Sequence, residues 1–261
     1  MPDESALDTL LKRDRLLMII GMGILTILAW GYMFYDAHRM AQGRSCCSAL
    51  AKASLHHWPV SDLLLMFVMW TVMMIAMMVP SAAPMVLMFS SLSRKRRAES
   101  RPYLPASLFL FGYLLIWTGF SAVVTIAQWC LHATALLSPK MVSTSSYFAG
   151  ALLIAAGVFQ FTPLKHACLK HCCSPMQFLM TRRREGRIGA LRTGFDHGLS
   201  CTGCCWLLMA LLFVAGVMNL LWVAAITLFV LVEKVVPRSL WITRAGGLVA
   251  ICWGFVLLLQ S

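Results

Sequence analysis

The chain has 261 residues, 60% of them hydrophobic and only 12% charged, with a mean hydropathy of +0.78. Soluble domains are about half apolar and about a quarter charged, so an ordinary globular protein and a disordered chain are both excluded. The net charge of +12 and the ten cysteines do not rescue a nucleic-acid binder or a small secreted disulfide scaffold in a sequence this apolar.

A helix that crosses a membrane needs about 20 mostly apolar residues. In chain order, apolar runs cover residues 16–35, 62–90, 103–131, 145–161, 199–217, 220–236 and 241–259. The fifth and sixth read as a tight hairpin turning near Met218 and Asn219. The expectation is an all-α, polytopic transmembrane helix bundle of about seven spans. Residues 1–61 form a first span and an external loop, and residues 62–261 form the main membrane domain.

Lys12, Arg13 and Arg15 precede the first run in the manner of a signal-peptide n-region. The run is longer than a usual h-region, however, and no clear small-x-small cleavage pattern follows it. It reads as an uncleaved signal-anchor. Placing the N-terminus in the cytoplasm puts 18 of the 22 Lys and Arg residues on the cytoplasmic side, the asymmetry that orients bacterial inner-membrane (plasma-membrane) proteins. The basic loops then serve topology and contact with anionic lipid headgroups, and no nucleic-acid partner is expected.

The loop after the first span holds Cys46, Cys47, His56 and His57, with His38 just before it. Facing an oxidising compartment, these residues offer either an entry point for a metal or a pair of oxidised thiols.

In the second span Met66, Met69, Met73 and Met77 follow i, i+3, i+7 and i+11, with Met74 and Met78 beside that stripe. Thioether sulfur is a soft donor suited to Cu(I). Methionine is also a flexible filler of apolar helices, and periodicity alone favours packing. Pro80 and Pro84 shift the balance, because they leave the carbonyls of Ala76 and Pro80 without their helical donors. A helix broken at membrane depth lines a cavity or is re-satisfied by neighbours, and such breaks mark binding sites in transporters.

Two thiol clusters follow. Thr162 and Pro163 read as a cap and first residue of a helix that sets Cys168 and Cys172 four apart on one face. Leu164 extends that face, and Lys165 and Lys170 point elsewhere. This helix is expected to lie along the cytoplasmic surface, with His166, His171 and Cys173 nearby. At the expected mouth of the fifth span, Cys201 stands one helical turn from His197, Cys204 and Cys205. Asp196 is a plausible N-cap there, and Gly198 and Gly203 leave room for another helix or break the turn. On the reducing side of the membrane, clustered thiols more often bind metal or do redox work than form structural disulfides. Two Cys pairs about 28 residues apart resemble a four-coordinate thiolate site. Cys130 and Cys252 stand alone and read as small hydrophobes.

Glu233 is the one carboxylate deep in an apolar run. Such groups are costly in a membrane and usually functional. Lys234 beside it and Pro237 instead favour a helix end at the interface, with both side chains snorkelling to water.

Trp70, Met73, Ala76, Met77, Met78 and Pro80, then Lys165, Cys168, Leu169 and Cys172, then Gly198, Cys201, Gly203, Cys204, Cys205, Trp206 and Met209, then Gly216, Met218 and Asn219, then Glu233 and Lys234, together resemble one family. It is a group of bacterial integral membrane proteins described as predicted metal-binding, and the likeness runs from about Asp62 to the C-terminus. The resemblance implies a multi-span architecture and metal binding. His166, His171 and Cys173 lie outside its pattern.

The residues and the resemblance lead to an inner-membrane protein that binds a soft transition metal, copper favoured over zinc. Cys168, Cys172, Cys201 and Cys204 would supply thiolates, with Cys205 or His197 as substitutes. Met73, Met77 and Met78 would offer thioethers deeper in the bilayer. Transport and delivery to a partner both fit, with membrane lipid and a metal-donor or acceptor protein as partners. The alternatives are a thiol–disulfide oxidoreductase using Cys201 and Cys204, and a structural subunit of a membrane complex.

Overall fold

The computed structural model describes residues 4–42, 60–98, 106–134, 145–173, 186–236 and 240–260. Among them every regular element is a helix: α1 (Glu4–Ala41), α2 (Val60–Ala98), α3 (Ala106–Ala133), α4 (Ser146–Phe159), α5 (Pro163–Cys173), α6 (Gly186–Ala210), α7 (Leu212–Ala215), α8 (Leu220–Val235) and α9 (Leu240–Leu259). The loop with Cys46, Cys47, His56 and His57 lies outside the described residues.

Among the described residues, each of the seven apolar runs is mainly helical. Arg15–Met40, Val60–Leu92, Ala106–Ala133, Gly186–Ala215 and Leu240–Leu259 are each long and apolar enough to cross a membrane. The α4 and α5 helices reach that standard only as a pair, bent by 63° at their junction. The α8 helix has 16 residues, about 24 Å at 1.5 Å per residue and short of a full hydrocarbon core. By length alone there are therefore five spans among the described residues, or six with the bent pair.

Local sequence explains the junctions. The Ser145 hydroxyl accepts from the Phe148 amide at 3.3 Å, and that of Thr162 accepts from the Lys165 amide at 3.3 Å. Both are N-caps, and Pro163 follows its cap at the first helical position, where a missing N–H costs nothing. The hairpin turn falls where expected, with Gly216 at a φ of 94° and the Asn219 amide donating to the Gly216 carbonyl at 3.0 Å.

The expected break at Pro80 and Pro84 is absent, and α2 continues through both. The Ala76 carbonyl, deprived of a donor by Pro80, instead receives the Trp30 indole N–H of α1 at 3.2 Å. A neighbouring helix has re-satisfied the freed group, as hydrocarbon surroundings demand.

The core gathers α1, α2, α3, α5, α6 and α8 around the methionines of α2, of which Met66, Met69, Met73, Met74, Met77 and Met78 are at most 3% exposed. The α3 and α6 helices run side by side, so close at Gly194 that a Cβ there would overlap the Phe109 carbonyl. The α4 and α9 helices pack together at the flank. The outer face of α9 shows Leu248, Val249, Trp253 and Val256, an apolar surface suited to acyl chains.

Candidate metal centre

The α6 helix begins at Gly186, well before the expected start at residue 199. Cys201 is therefore about 22 Å along it, in the helix interior rather than at its mouth. Asp196 is not an N-cap. It lies inside the helix, and its carbonyl accepts the Ser200 hydroxyl at 3.1 Å. Of the two expectations for Gly198 and Gly203, close approach of another helix holds, since a Cβ on Gly203 would stand 3.0 Å from the Cys168 sulfur and one on Gly198 would stand 2.9 Å from Ile116 of α3.

Around Cys201 the polar groups converge. Its sulfur lies 2.9 Å from Lys234 Nζ of α8 and 3.1 Å from the Tyr113 hydroxyl of α3. Lys234 also donates to the Ser81 hydroxyl of α2 at 3.0 Å, and Ser81 donates to the Met78 carbonyl at 2.9 Å. Tyr113 reaches the same carbonyl at 3.2 Å. The thiols of Cys204 and Cys205 turn back to the Cys201 carbonyl at 3.0 and 2.9 Å.

The second cluster arrives on α5, which packs against α6. Cys172 is buried in the same core cluster as Cys201 and Cys204, beside their thiols. The buried face of α5 differs from expectation. It is Lys165, Leu169 and Cys172, an i, i+4, i+7 stripe, while Leu164 is 61% exposed. Lys165 is drawn inward because Glu233 is there to meet it, with Nζ 3.0 and 2.9 Å from the two carboxylate oxygens. Both partners are buried. The snorkelling expected of Glu233 and Lys234 is thus overturned, because each side chain has a specific partner inside the protein.

Cys168, Cys172, Cys201, Cys204 and Cys205 therefore come together from two helices. His197, one turn from Cys201, is buried with its ring stacked on Tyr113 at 5.6 Å and tilted against Phe109 at 5.8 Å. Met73 and Met77 are core residues of α2, and the Met78 sulfur lies 3.9 Å from the Ser81 hydroxyl at the edge of the cluster. Cys173 is exposed and hydrogen-bonds the Glu233 carbonyl, and His171 hydrogen-bonds the Ala167 carbonyl within its own helix.

Among the described residues no three Cys, His, Asp or Glu side chains already stand in an arrangement closed around an ion. The reason is visible in the hydrogen bonds: the thiols of Cys204 and Cys205 are aimed at a backbone carbonyl, and side-chain rotation would be needed to turn them toward a shared centre. Four buried soft donors, with half-buried Cys168 at their edge and an ammonium beside one of them, suit a soft cation held by sulfur.

Sequence reasoning missed Tyr113, Ser81 and Lys165. Tyr113 and Ser81 carry no pattern that points to a thiol elsewhere in the chain. The Lys165–Leu169–Cys172 stripe was readable as helical spacing, but a lysine is ordinarily assigned to the wet face.

A sequence model of the PpoB2 family, described as copper chaperone, matches residues 67–257. No curated protein and no solved structure matches the chain.

Proposed function

The chain belongs to the PpoB2 copper chaperone family, and we propose that it is a bacterial inner-membrane protein that carries Cu(I) on the sulfurs of Cys172, Cys201 and Cys204 and passes it to an acceptor protein. The observation that carries this reading is the burial of Cys172 of α5 in one cluster with Cys201 and Cys204 of α6, where the Cys168 sulfur also comes within 3.0 Å of a Cβ placed on Gly203. Thiolates select copper in its cuprous form over harder ions, which favours copper over zinc. Cys168 and Cys205 stand beside the three as exchange ligands, and His197 lines the far side. Met73, Met77 and Met78 form a thioether wall along which cargo approaches from within the bilayer.

Burial supports cargo handling over thiol exchange. An oxidoreductase needs a thiolate open to its partner, whereas Cys201 and Cys204 are 0% and 1% exposed. The charge asymmetry of the flanks puts the thiol centre toward the cytoplasmic half of the membrane, where the acceptor docks.

The test is metal analysis of the full chain purified in detergent under reducing conditions. Stoichiometric copper is expected in the wild type and complete loss in the Cys172→Ser/Cys201→Ser double variant. A wild type that retains no copper, or a double variant that retains all of it, overturns the proposal.

A further inference from the structure

We propose that the interface of α2 and α3 is a hydrated route by which a soft monovalent cation reaches the thiol centre from the opposite face of the membrane. The inference rests on the metal-binding reading above and adds the side from which cargo enters. On α3, Tyr113, Trp117, Ser121, Thr125 and Gln128 follow one another at helical spacing, and all are buried. Tyr113 touches the Cys201 sulfur at 3.1 Å. From there to Gln128 the stripe rises about 22 Å along the helix, most of a hydrocarbon core about 30 Å thick. His132, half-buried, follows in the last turn of α3, away from the thiols. Two contacts set the antiparallel register with α2. The Trp70 indole donates to the Gln128 amide oxygen at one end, and the Tyr113 hydroxyl donates to the Met78 carbonyl at the other. Between those contacts α2 carries Met73, Met74 and Met77, all buried. Thioethers and polar groups therefore share one stretch of the helix pair.

Buried polar side chains in membrane helices commonly bond a neighbouring helix. Most of this stripe does not. The Ser121 and Thr125 hydroxyls donate to the Trp117 and Ser121 carbonyls of their own helix, each at 2.8 Å, and keep their oxygens as acceptors. An indole can only donate, so Trp70 fixes the Gln128 amide with its oxygen toward α2 and its N–H groups turned elsewhere. Among the described residues neither those N–H groups nor the Trp117 indole N–H meets an acceptor. An unmet donor is expensive in hydrocarbon surroundings, and water satisfies it where a polar site has room. The face thus offers donors at Trp117 and Gln128 and acceptors at Ser121 and Thr125, the mixture that water requires. Polar groups turned to the interior of a membrane bundle mark ion pathways. No charged side chain stands on this stretch of either helix, so an ion is passed along weak donors and is held only where it meets the thiols.

Silver(I), a redox-inert soft monovalent ion, serves as the probe. The full chain is reconstituted in vesicles that hold glutathione inside, silver is added outside, and its accumulation beyond the protein-bound amount is measured by elemental analysis. Wild type is expected to admit silver. Ser121→Leu, which fills the route without touching a thiol or a thioether, is expected to slow entry by about tenfold or more while silver bound in detergent stays the same. Equal entry in the variant, or no entry by a wild type that binds silver in detergent, overturns the proposal. Should the leucine variant not fold, Ser121→Cys adds almost no bulk and is treated with a small cationic methanethiosulfonate, beside Val123→Cys on the exposed face of α3. Modification at position 121 and not at 123, mapped by peptide mass spectrometry, supports a wet interface, and an unmodified position 121 overturns it. A wild type that binds no silver in detergent removes the metal-binding reading itself, an outcome distinct from binding without passage.

Discussion

Sulfur is buried in two regions of this molecule, and the two differ in what surrounds it. Along α2, Met66, Met69, Met73, Met74 and Met77 sit among apolar side chains, wholly inside the core. At the junction of α5, α6 and α8, the sulfurs of Cys201, Cys204 and Cys205 each have a polar partner, Lys165 and Glu233 are buried beside them, and Lys234 is half-buried there. Burying charge is costly unless it is paired, so a fold that keeps three such groups at one place and none along the stripe is organised around the thiols. The comparison teaches that the number of soft donors does not locate the site; the countercharges do.

The comparison can be broken most sharply at the Lys165–Glu233 pair. Lys165→Met strands a buried carboxylate and is expected to lower stability by roughly 3–5 kcal/mol, read by denaturant unfolding in detergent. The Lys165→Met/Glu233→Met double variant should recover much of that loss, because it leaves no uncompensated charge. If the single variant is as stable as the wild type, the charged region does not organise the fold. Next in size, Tyr113→Phe removes the hydroxyl shared by Cys201 and the Met78 carbonyl. A loss of about 1 kcal/mol is expected, with bound copper retained. Smallest, Met73→Leu and Met77→Leu nearly conserve volume and should each cost less than about 1.5 kcal/mol while leaving copper stoichiometry unchanged. Copper lost in those variants would move the holding site into the thioether wall and erase the distinction between the regions.

Much of the architecture was legible because hydrophobic run length and caps are local properties. Thr162 and Pro163 announced the start of α5, and Gly216 to Asn219 announced the hairpin. The bounds of α6 were not legible. Its first turns carry Arg187, Arg192, Asp196 and Gly194, which read as loop chemistry, yet Gly194 is there because α3 lies against it. Likewise the convergence of the two thiol stretches followed from their spacing and common side, whereas the roles of Lys165 and Lys234 did not. A lysine's inward course depends on a partner 68 positions away in one case and 33 in the other, and no window along the sequence contains both ends. Pro80 misled for the same reason, since the indole that compensates for it comes from α1.

That indole has a further implication. Family similarity begins at residue 67, but Trp30, Met22 and Met33 belong to the same packed interior as the residues beyond it. A proline tolerated in the middle of α2 is tolerated on loan from a helix that the shared pattern leaves out. Sequences that resemble this one only downstream must supply that donor some other way, or bend where this chain stays straight.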